Sequence, residues 1–126
     1  MYKVDVTAEG DYRFSVRSKD AEFTVDAKGS AMTPPDTLLA SLGSCVGVYI
    51  RKYAEGAKLL LGEFAISVEG DLGKETPCYF RQIKVSVDLK GAALDEKRKA
   101  ALLAFIKNCP VHNTLKNNPS VDISIG

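Results

Sequence analysis

The feature that most constrains this chain is one long helix with almost no charge. The segment TPPD at 33–36 is a typical helix start, with a threonine cap, proline at the first helical position and an acid in the first turn. The predicted helix continues to Glu55 and ends at Gly56, over roughly 22 residues or about 33 Å. No charged residue occurs between Asp36 and Arg51, so this helix is apolar on nearly all sides and is expected to be buried.

The composition predicts one globular domain over residues 1–126, with 45% hydrophobic and 26% charged residues. The 17 basic and 16 acidic residues leave a net charge of +1, which removes the general electrostatic argument for binding nucleic acid or an anionic membrane surface. No apolar run reaches the roughly 18–20 residues of a membrane span, and the first residues lack the pattern of a signal peptide. We therefore expect a cytoplasmic protein with reduced thiols.

The remaining pattern predicts an α+β fold rather than repeated βαβ units. Three alternating runs before the long helix indicate a β-meander, and two runs after it indicate a β-hairpin. Two further helices and a last strand follow. The predicted strands are 3–7, 12–17, 22–26, 59–69, 79–89 and 121–125, and the two later helices are 95–107 and 110–115.

Cys45 lies in the middle of the long helix, between Gly43 and Gly47. Glycine destabilises a helix interior by roughly 0.5–1 kcal/mol relative to alanine, so two glycines four residues apart indicate that another backbone approaches closely. At about 100° per residue both glycines lie about 160° from Cys45, which leaves the thiol in an apolar stripe. The stripe consists of Leu38, Leu42 and Tyr49. Taken alone, this pattern is also typical of a buried, inert cysteine.

A second cysteine, Cys109, stands at a predicted helix start. It directly precedes Pro110, so its side chain lies at the N-cap or in the first turn of the short helix, where free backbone N–H groups favour a thiolate. His112, the only histidine, follows one turn later. Two roles are open for it, since it can polarise the thiol or serve as an ordinary surface or core histidine. A reactive thiol is expected at Cys109.

Two motifs resemble those of the OsmC/Ohr family, the osmotically inducible and organic hydroperoxide resistance proteins. The first is TPPDTLLASLGSC at 33–45, where a helix start with proline and an acid leads to a cysteine. The second is NCPVHNTL at 108–115. With the hairpin and helix between the motifs and the meander before them, the resemblance extends over essentially the whole chain.

The resemblance implies an intertwined homodimer in which strands of both chains wrap each long helix, which accounts for a helix too apolar for one short chain to bury. It also implies that Cys45 attacks the peroxide oxygen and that Cys109 resolves the sulfenic acid to a disulfide. On this basis we expect a thiol-dependent peroxidase of oxidative-stress defence that reduces organic hydroperoxides, uses a dithiol reductant and needs no cofactor. The apolar stripe beside Cys45 would favour organic hydroperoxides over hydrogen peroxide.

The resemblance further implies an arginine beside the reactive thiolate, held by a glutamate at the start of the central helix. Asp36 stands near the place of that glutamate, and an ideal helix puts it about 180° around from Cys45. Arg13 and Arg17 of the meander are both candidates for the arginine, and both also fit the role of solvated strand charges.

Cys78 matches no motif of the family and leaves a different class of hypothesis open. This is a zinc site formed by Cys45, Cys78, Cys109 and His112. Against it, a ligand in the middle of a buried helix without a paired neighbour is unlike a zinc ribbon or finger. In a third hypothesis, the domain is a non-catalytic dimer that binds an apolar small molecule at its interface, because the same apolar stripe would serve that purpose.

Overall fold

The computed structural model describes residues 1–126 and contains five strands and three helices. In chain order these are β1 (Asp5–Gly10), β2 (Arg13–Arg17), β3 (Glu22–Asp26), α1 (Pro34–Gly56), β4 (Ala65–Leu72), β5 (Phe80–Asp88), α2 (Glu96–Ile106) and α3 (Pro110–Asn117). The predicted α+β class is confirmed. The contacts divide the chain into two units, 1–40 and 41–126, so that α1 begins in the first and ends in the second. The single domain over 1–126 stays a prediction.

The start of α1 lies where the sequence predicts it. The Thr33 hydroxyl donates a hydrogen bond to the Asp36 carboxylate at 2.8 Å, and the Thr33 N–H donates to the same carboxylate at 3.2 Å. In return the Asp36 N–H donates to the Thr33 hydroxyl at 3.3 Å. This reciprocal cap satisfies N–H groups that the first turn of a helix leaves free.

The first unit contains the predicted meander, in which β1 pairs with β2 and β2 with β3, both antiparallel. Its one buried charged residue is Asp26, at the end of β3. The Ser30 hydroxyl and the Lys28 backbone N–H donate hydrogen bonds to the Asp26 carboxylate. These bonds, helped by the charge of Arg13, hold the pKa of Asp26 below its usual value, so the buried group stays ionised.

In the second unit β4 and β5 form the predicted antiparallel hairpin. The strand predicted from 59 begins only at Ala65. The Arg51 guanidinium donates hydrogen bonds to the carbonyl oxygens of Leu61, at 2.7 Å, and Gly62, at 2.8 Å. Because a side chain rather than a neighbouring strand binds these carbonyls, the segment before Ala65 is a loop.

The glycines of α1 allow side chains of β4 to lie directly on the helix. The predicted close approach is present, but side chains make it rather than another backbone. A Cβ atom added at Gly43 would lie 2.9 Å from Val68 Cγ2, and one added at Gly47 would lie 3.3 Å from Ile66 Cδ1. Both distances are shorter than ordinary van der Waals contact, so neither position has room for a side chain without movement of its neighbour. This contact fixes which face of α1 is turned toward the hairpin.

Helices α2 and α3 confirm the two later predicted helices within one or two residues at each boundary. The Asp95 carboxylate caps α2 by accepting a hydrogen bond from the Arg98 N–H at 2.8 Å. The buried core of this unit consists of Leu42, Val46, Ile50 and Leu102, with partly buried side chains of β4, β5 and α3 packed around it. No helix is both long enough and apolar enough to cross a membrane.

Within the single chain α1 is buried on one side rather than all round. Its buried positions are Leu42, Gly43, Val46, Ile50 and Ala54. On another face Ser41 and Ser44 are exposed, and the side chain of Val48 is 50% exposed. Leu38, in the part of α1 that belongs to the first unit, is also exposed. One chain therefore leaves apolar surface of this helix uncovered.

The strand predicted at 121–125 is not formed, and this prediction is wrong for the single chain: residues 118–126 carry no regular structure. Val121, Ile123 and Ile125 keep the alternation of a strand, but each is more than three-quarters exposed. The alternation specifies only which side chains share a face. A strand also needs a neighbour for its backbone hydrogen bonds, and no segment of this chain supplies one.

We expect Gly43→Ala to lower the free energy of unfolding by about 1 kcal/mol. The added methyl overlaps the stiff, β-branched Val68, and this overpacking cost of about 1–3 kcal/mol exceeds the gain of roughly 0.5–1 kcal/mol in helix propensity. Gly56→Ala, at the end of α1 with open space around the position, is the matched control. Urea denaturation measures both variants, and equal stability of the two would contradict the tight contact.

Candidate active site

Cys45 lies near the middle of α1, on the side opposite Gly43 and Gly47. Its side chain is half-buried. Leu42, one turn earlier, is buried and Tyr49, one turn later, is half-buried, so the thiol has apolar neighbours on its own helix. Because β4 occupies the glycine face, Cys45 is turned away from the hairpin.

Cys109 caps the N-terminus of α3 and is fully buried. Its sulfur accepts a hydrogen bond from the His112 N–H at 3.4 Å, and its own N–H donates to the Ile106 carbonyl at 3.0 Å. Pro110 follows in the first turn, where a residue without an N–H costs no helical hydrogen bond. The predicted position of Cys109 at a helix N-cap is confirmed.

The structure brings these two cysteines together. The Cys45 thiol lies close enough to Cys109 and to the backbone N–H of Val111, in the first turn of α3, for both groups to act on its pKa. Both cysteines are free thiols. Two neighbouring thiols can form a disulfide once one of them has been oxidised. Both sulfurs therefore lie near the N-terminus of α3.

The pKa of Cys45 is raised above the ordinary value of a thiol. Burial is the largest cause, because it disfavours the charged form, and the neighbouring Cys109 raises the pKa further. The Val111 N–H and the positive charge of Lys52 act in the opposite direction. Cys45 is therefore protonated at rest, and its thiolate depends on the groups that favour the charged form.

Aromatic rings cover α1 on the C-terminal side of Cys45. The centroids of the Tyr49 and Phe105 rings are 5.8 Å apart, and those of Tyr53 and Phe105 are 5.7 Å apart. Lys52 Nζ lies 4.8 Å from the centroid of the Tyr49 ring. The sequence analysis missed Lys52, although its spacing from Cys45 and Tyr49 places all three residues on one stripe of the helix.

The two candidate arginines both lie in the first unit and have other partners there. Arg17 forms an ion pair with Glu22 at 2.9 Å, and Arg13 donates a hydrogen bond to the Ser30 hydroxyl at 3.0 Å. Neither arginine forms an ion pair with Asp36, whose carboxylate caps α1. The pairing of an arginine with an acid at the helix start, which the family resemblance implies, is therefore not formed within this chain.

The zinc site considered from the sequence is not formed. No group of three or more histidine, cysteine, aspartate or glutamate side chains lies together in a way that could hold a metal ion. Cys78 is exposed in the connection between β4 and β5, where its thiol donates to the Gly73 carbonyl. Of the four residues considered, Cys109 is the one that acts on the pKa of Cys45.

The second unit also contains an open, mostly apolar groove of about 480 Å³ beside β5. His112 lines this groove, while its backbone N–H binds the sulfur of Cys109. Neither Cys45 nor Cys109 lines it. Other residues that line it are Leu42, Val46, Ile83, Val85, Leu103 and Leu115.

We expect the three thiols to react with iodoacetamide in the native protein in the order Cys78, Cys45, Cys109. This order follows their exposure, since Cys78 is exposed, Cys45 half-buried and Cys109 fully buried. Mass spectrometry of the cysteine-containing peptides, taken after increasing reaction times, measures the three rates. Modification of Cys109 before Cys45 would contradict the arrangement described above.

Comparison with known proteins agrees with this architecture. Residues 27–124 match the family model described as OsmC-like protein. No curated protein sequence matches the chain. The solved structure of an OsmC-like protein from Mycoplasma pneumoniae is similar, with a TM-score of 0.80, 21% identity, and coverage of 94% of this chain and 89% of that one.

Two organic hydroperoxide resistance proteins have the same fold at low sequence identity. The protein OsmC of Legionella pneumophila has a TM-score of 0.67 and 22% identity, with coverage of 94% of this chain and 92% of that one. OhrB of Bacillus subtilis has a TM-score of 0.67 and 19% identity, with 92% of each chain covered. Because the family model spans most of the sequence and the fold agrees, this chain belongs to the OsmC-like protein family.

Proposed function

We propose that this protein is a thiol-dependent peroxidase that reduces organic hydroperoxides in oxidative-stress defence. The observation that carries the proposal is the proximity of Cys45 to Cys109 at the N-terminus of α3, where Cys109 acts on the pKa of the Cys45 thiol. Membership of a family with organic hydroperoxide resistance proteins among its structural neighbours supports it. We place the activity in the cytoplasm, where thiols are kept reduced.

The reaction uses two sulfur atoms in turn. The Cys45 thiolate attacks one oxygen of the peroxide bond, the O–O bond breaks, and the departing alkoxide takes a proton to become an alcohol. Cys45 is then a sulfenic acid. The Cys109 sulfur attacks it, water leaves and a disulfide forms, which a dithiol reductant reduces to restore both thiols.

Burial decides which cysteine takes which role in this proposal. Cys45 is half-buried, so a peroxide can reach it, whereas Cys109 is fully buried. A resolving thiol needs no access to the substrate, because its electrophile is the neighbouring sulfenic acid. We therefore assign the attack to Cys45 and the resolution to Cys109.

The surroundings of Cys45 favour an organic peroxide over hydrogen peroxide. Tyr49 flanks the thiol on its own helix and is half-buried, so part of its ring is apolar surface open to a substrate beside Cys45. Contact with an alkyl or aryl group removes this surface from water, at about 25 cal/mol per Å², whereas hydrogen peroxide has no such group. We therefore expect organic hydroperoxides to bind more tightly than hydrogen peroxide, through their alkyl or aryl group.

We expect one equivalent of cumene hydroperoxide to consume two thiols per chain and to leave a disulfide between Cys45 and Cys109. Peptide mass mapping identifies the disulfide, and a thiol assay counts the loss. Cys45→Ser should abolish peroxide consumption, because the attacking sulfur is missing. Cys109→Ser should permit one turnover and then stop with Cys45 over-oxidised.

Cys78→Ser is the matched control for these variants, since Cys78 is exposed and distant in the chain from both motifs. It should consume peroxide at the rate of the unmodified protein. A Cys45 that stays reduced while peroxide is present would contradict the proposal. So would a disulfide that includes Cys78 in place of Cys109.

We also propose that the protein is a homodimer. The single chain exposes apolar side chains that a second copy would cover, among them Val48 on α1 and Leu103 on α2, which is 57% exposed. The alternating residues Val121, Ile123 and Ile125 also lack a partner strand. Burial of these surfaces against another chain would remove them from water.

Analytical ultracentrifugation should therefore give twice the chain mass of 13.6 kDa at micromolar concentration. Val48→Glu would place a charge on the uncovered face of α1 and should shift the equilibrium to the monomer. Lys58→Glu, an exposed change in the loop after α1, tests whether added negative charge alone has this effect. A Val48→Glu protein that sediments as the unmodified protein does would contradict an interface at this face.

A second candidate function is a non-catalytic domain that binds an apolar small molecule. The groove of about 480 Å³ beside β5 favours this alternative, because its lining is mainly aliphatic. In that case a co-purified apolar molecule would appear in native mass spectra. Peroxide would then oxidise the three thiols slowly and without preference for Cys45.

A further inference from the structure

Few groups in this structure favour the charged form of Cys45. Burial and the Cys109 sulfur both oppose it, and only the Val111 N–H and the charge of Lys52 act in its favour. The two arginines considered from the family resemblance, Arg13 and Arg17, bind Ser30 and Glu22 within the first unit. Of the two favourable groups, Lys52 is the one that carries a full charge.

The position of Lys52 on α1 directs its ammonium group toward Cys45. Side chains of a helix lean toward its N-terminus, so a lysine two turns after Cys45 extends back over Tyr49 toward the thiol. Its Nζ lies 4.8 Å from the Tyr49 ring centroid, within the range of a cation–π contact. The Tyr49 ring packs in turn on Phe105 of α2.

Lys52 also has no carboxylate partner. Lys28 and Lys99, by contrast, form ion pairs with Asp11 and Glu96. An ammonium group held on an aromatic face keeps its charge unneutralised, although Lys52 is exposed to solvent at its outer side. The charge is therefore free to act on an anion that forms nearby on the same helix.

We propose that Lys52, held by the ring of Tyr49, is the positioning residue that stabilises the thiolate of Cys45. The inference rests on the proposed function, because attack on a peroxide requires that thiolate. The step assisted is the loss of the Cys45 proton to water. Lys52 acts through the sulfur and does not touch the peroxide.

The test is the pH profile of Cys45 alkylation by iodoacetamide between pH 6 and 10, followed on the Cys45 peptide by mass spectrometry. Lys52→Met should move the profile to higher pH and slow the reaction at pH 7 about threefold, which corresponds to about half a pKa unit. Lys52→Arg keeps the charge and should restore the rate. Salt near 1 M should reduce the difference between Lys52→Met and the unmodified protein, because it screens the charge.

Lys84→Met is the matched control, since it removes the same charge from the exposed face of β5 in the same unit. It should leave the profile unchanged. An unchanged profile in Lys52→Met would overturn the proposal, as would an equal shift in Lys84→Met, which would indicate net charge alone. A Lys52→Arg protein as slow as Lys52→Met would also overturn it. Circular dichroism confirms that each variant is folded.

Variants of Tyr49 test whether its ring holds the Lys52 ammonium group in place. Tyr49→Phe keeps the aromatic face and should leave the profile unchanged, whereas Tyr49→Leu removes it and should slow Cys45 alkylation at pH 7. Combining Tyr49→Leu with Lys52→Met should slow the reaction no more than Lys52→Met alone. Additive effects in the double variant would show that the ring does not act through Lys52 and would overturn that part of the proposal.

Alkylation needs no peroxide, so this result is independent of the proposed peroxidase activity. A shifted profile in Lys52→Met with no consumption of cumene hydroperoxide by the unmodified protein would reject the peroxidase and retain the role of Lys52. Rapid peroxide consumption by the unmodified protein, with an unshifted alkylation profile in Lys52→Met, would reject the role of Lys52 and retain the peroxidase.

Discussion

The contact between β4 and the glycine face of α1 is the interaction on which the rest of the structure depends. Val68 and Ile66 reach the helix at Gly43 and Gly47, so closely that a methyl group would not fit at Gly43 without movement. A helix held this tightly on one face cannot rotate, and Cys45 on the opposite side is turned away from the hairpin. The conformational cost of two helical glycines is therefore offset by a fixed orientation of the thiol.

The surroundings of Cys45 keep its thiol protonated while Cys109 lies close to it. Burial and the proximity of Cys109 keep Cys45 protonated at rest, and a protonated thiol is a poor nucleophile. In the proposed reaction, the same proximity lets Cys109 attack the sulfenic acid of Cys45 before further oxidation. Such a pair needs a separate source of positive potential when the thiolate forms. The first turn of α3 supplies partial charge through the Val111 N–H, and the proposed role of Lys52 adds a full charge.

Much of this fold was predictable because it depends on residues close together in the chain. The start of α1, the cap at Cys109 and the close approach at Gly43 each follow from a local pattern of two to four residues. The late start of β4 does not follow from a local pattern, because it depends on hydrogen bonds from Arg51 to carbonyl groups ten or more residues later in the chain. The strand expected at 121–125 failed for a similar reason, since alternation does not provide the neighbour that a strand requires.

The sequence by itself determined the α+β class, the order of the helices and the two cysteines as the residues of interest, because caps, glycines and periodicity act over a few residues. Only the tertiary structure decided that Cys45 and Cys109 lie close together, that the Cys78 thiol binds the Gly73 carbonyl instead, and that Lys52 lies over Tyr49. These facts depend on how α1, α2 and α3 pack. Packing is set by contacts between residues far apart in the chain, which no local pattern contains.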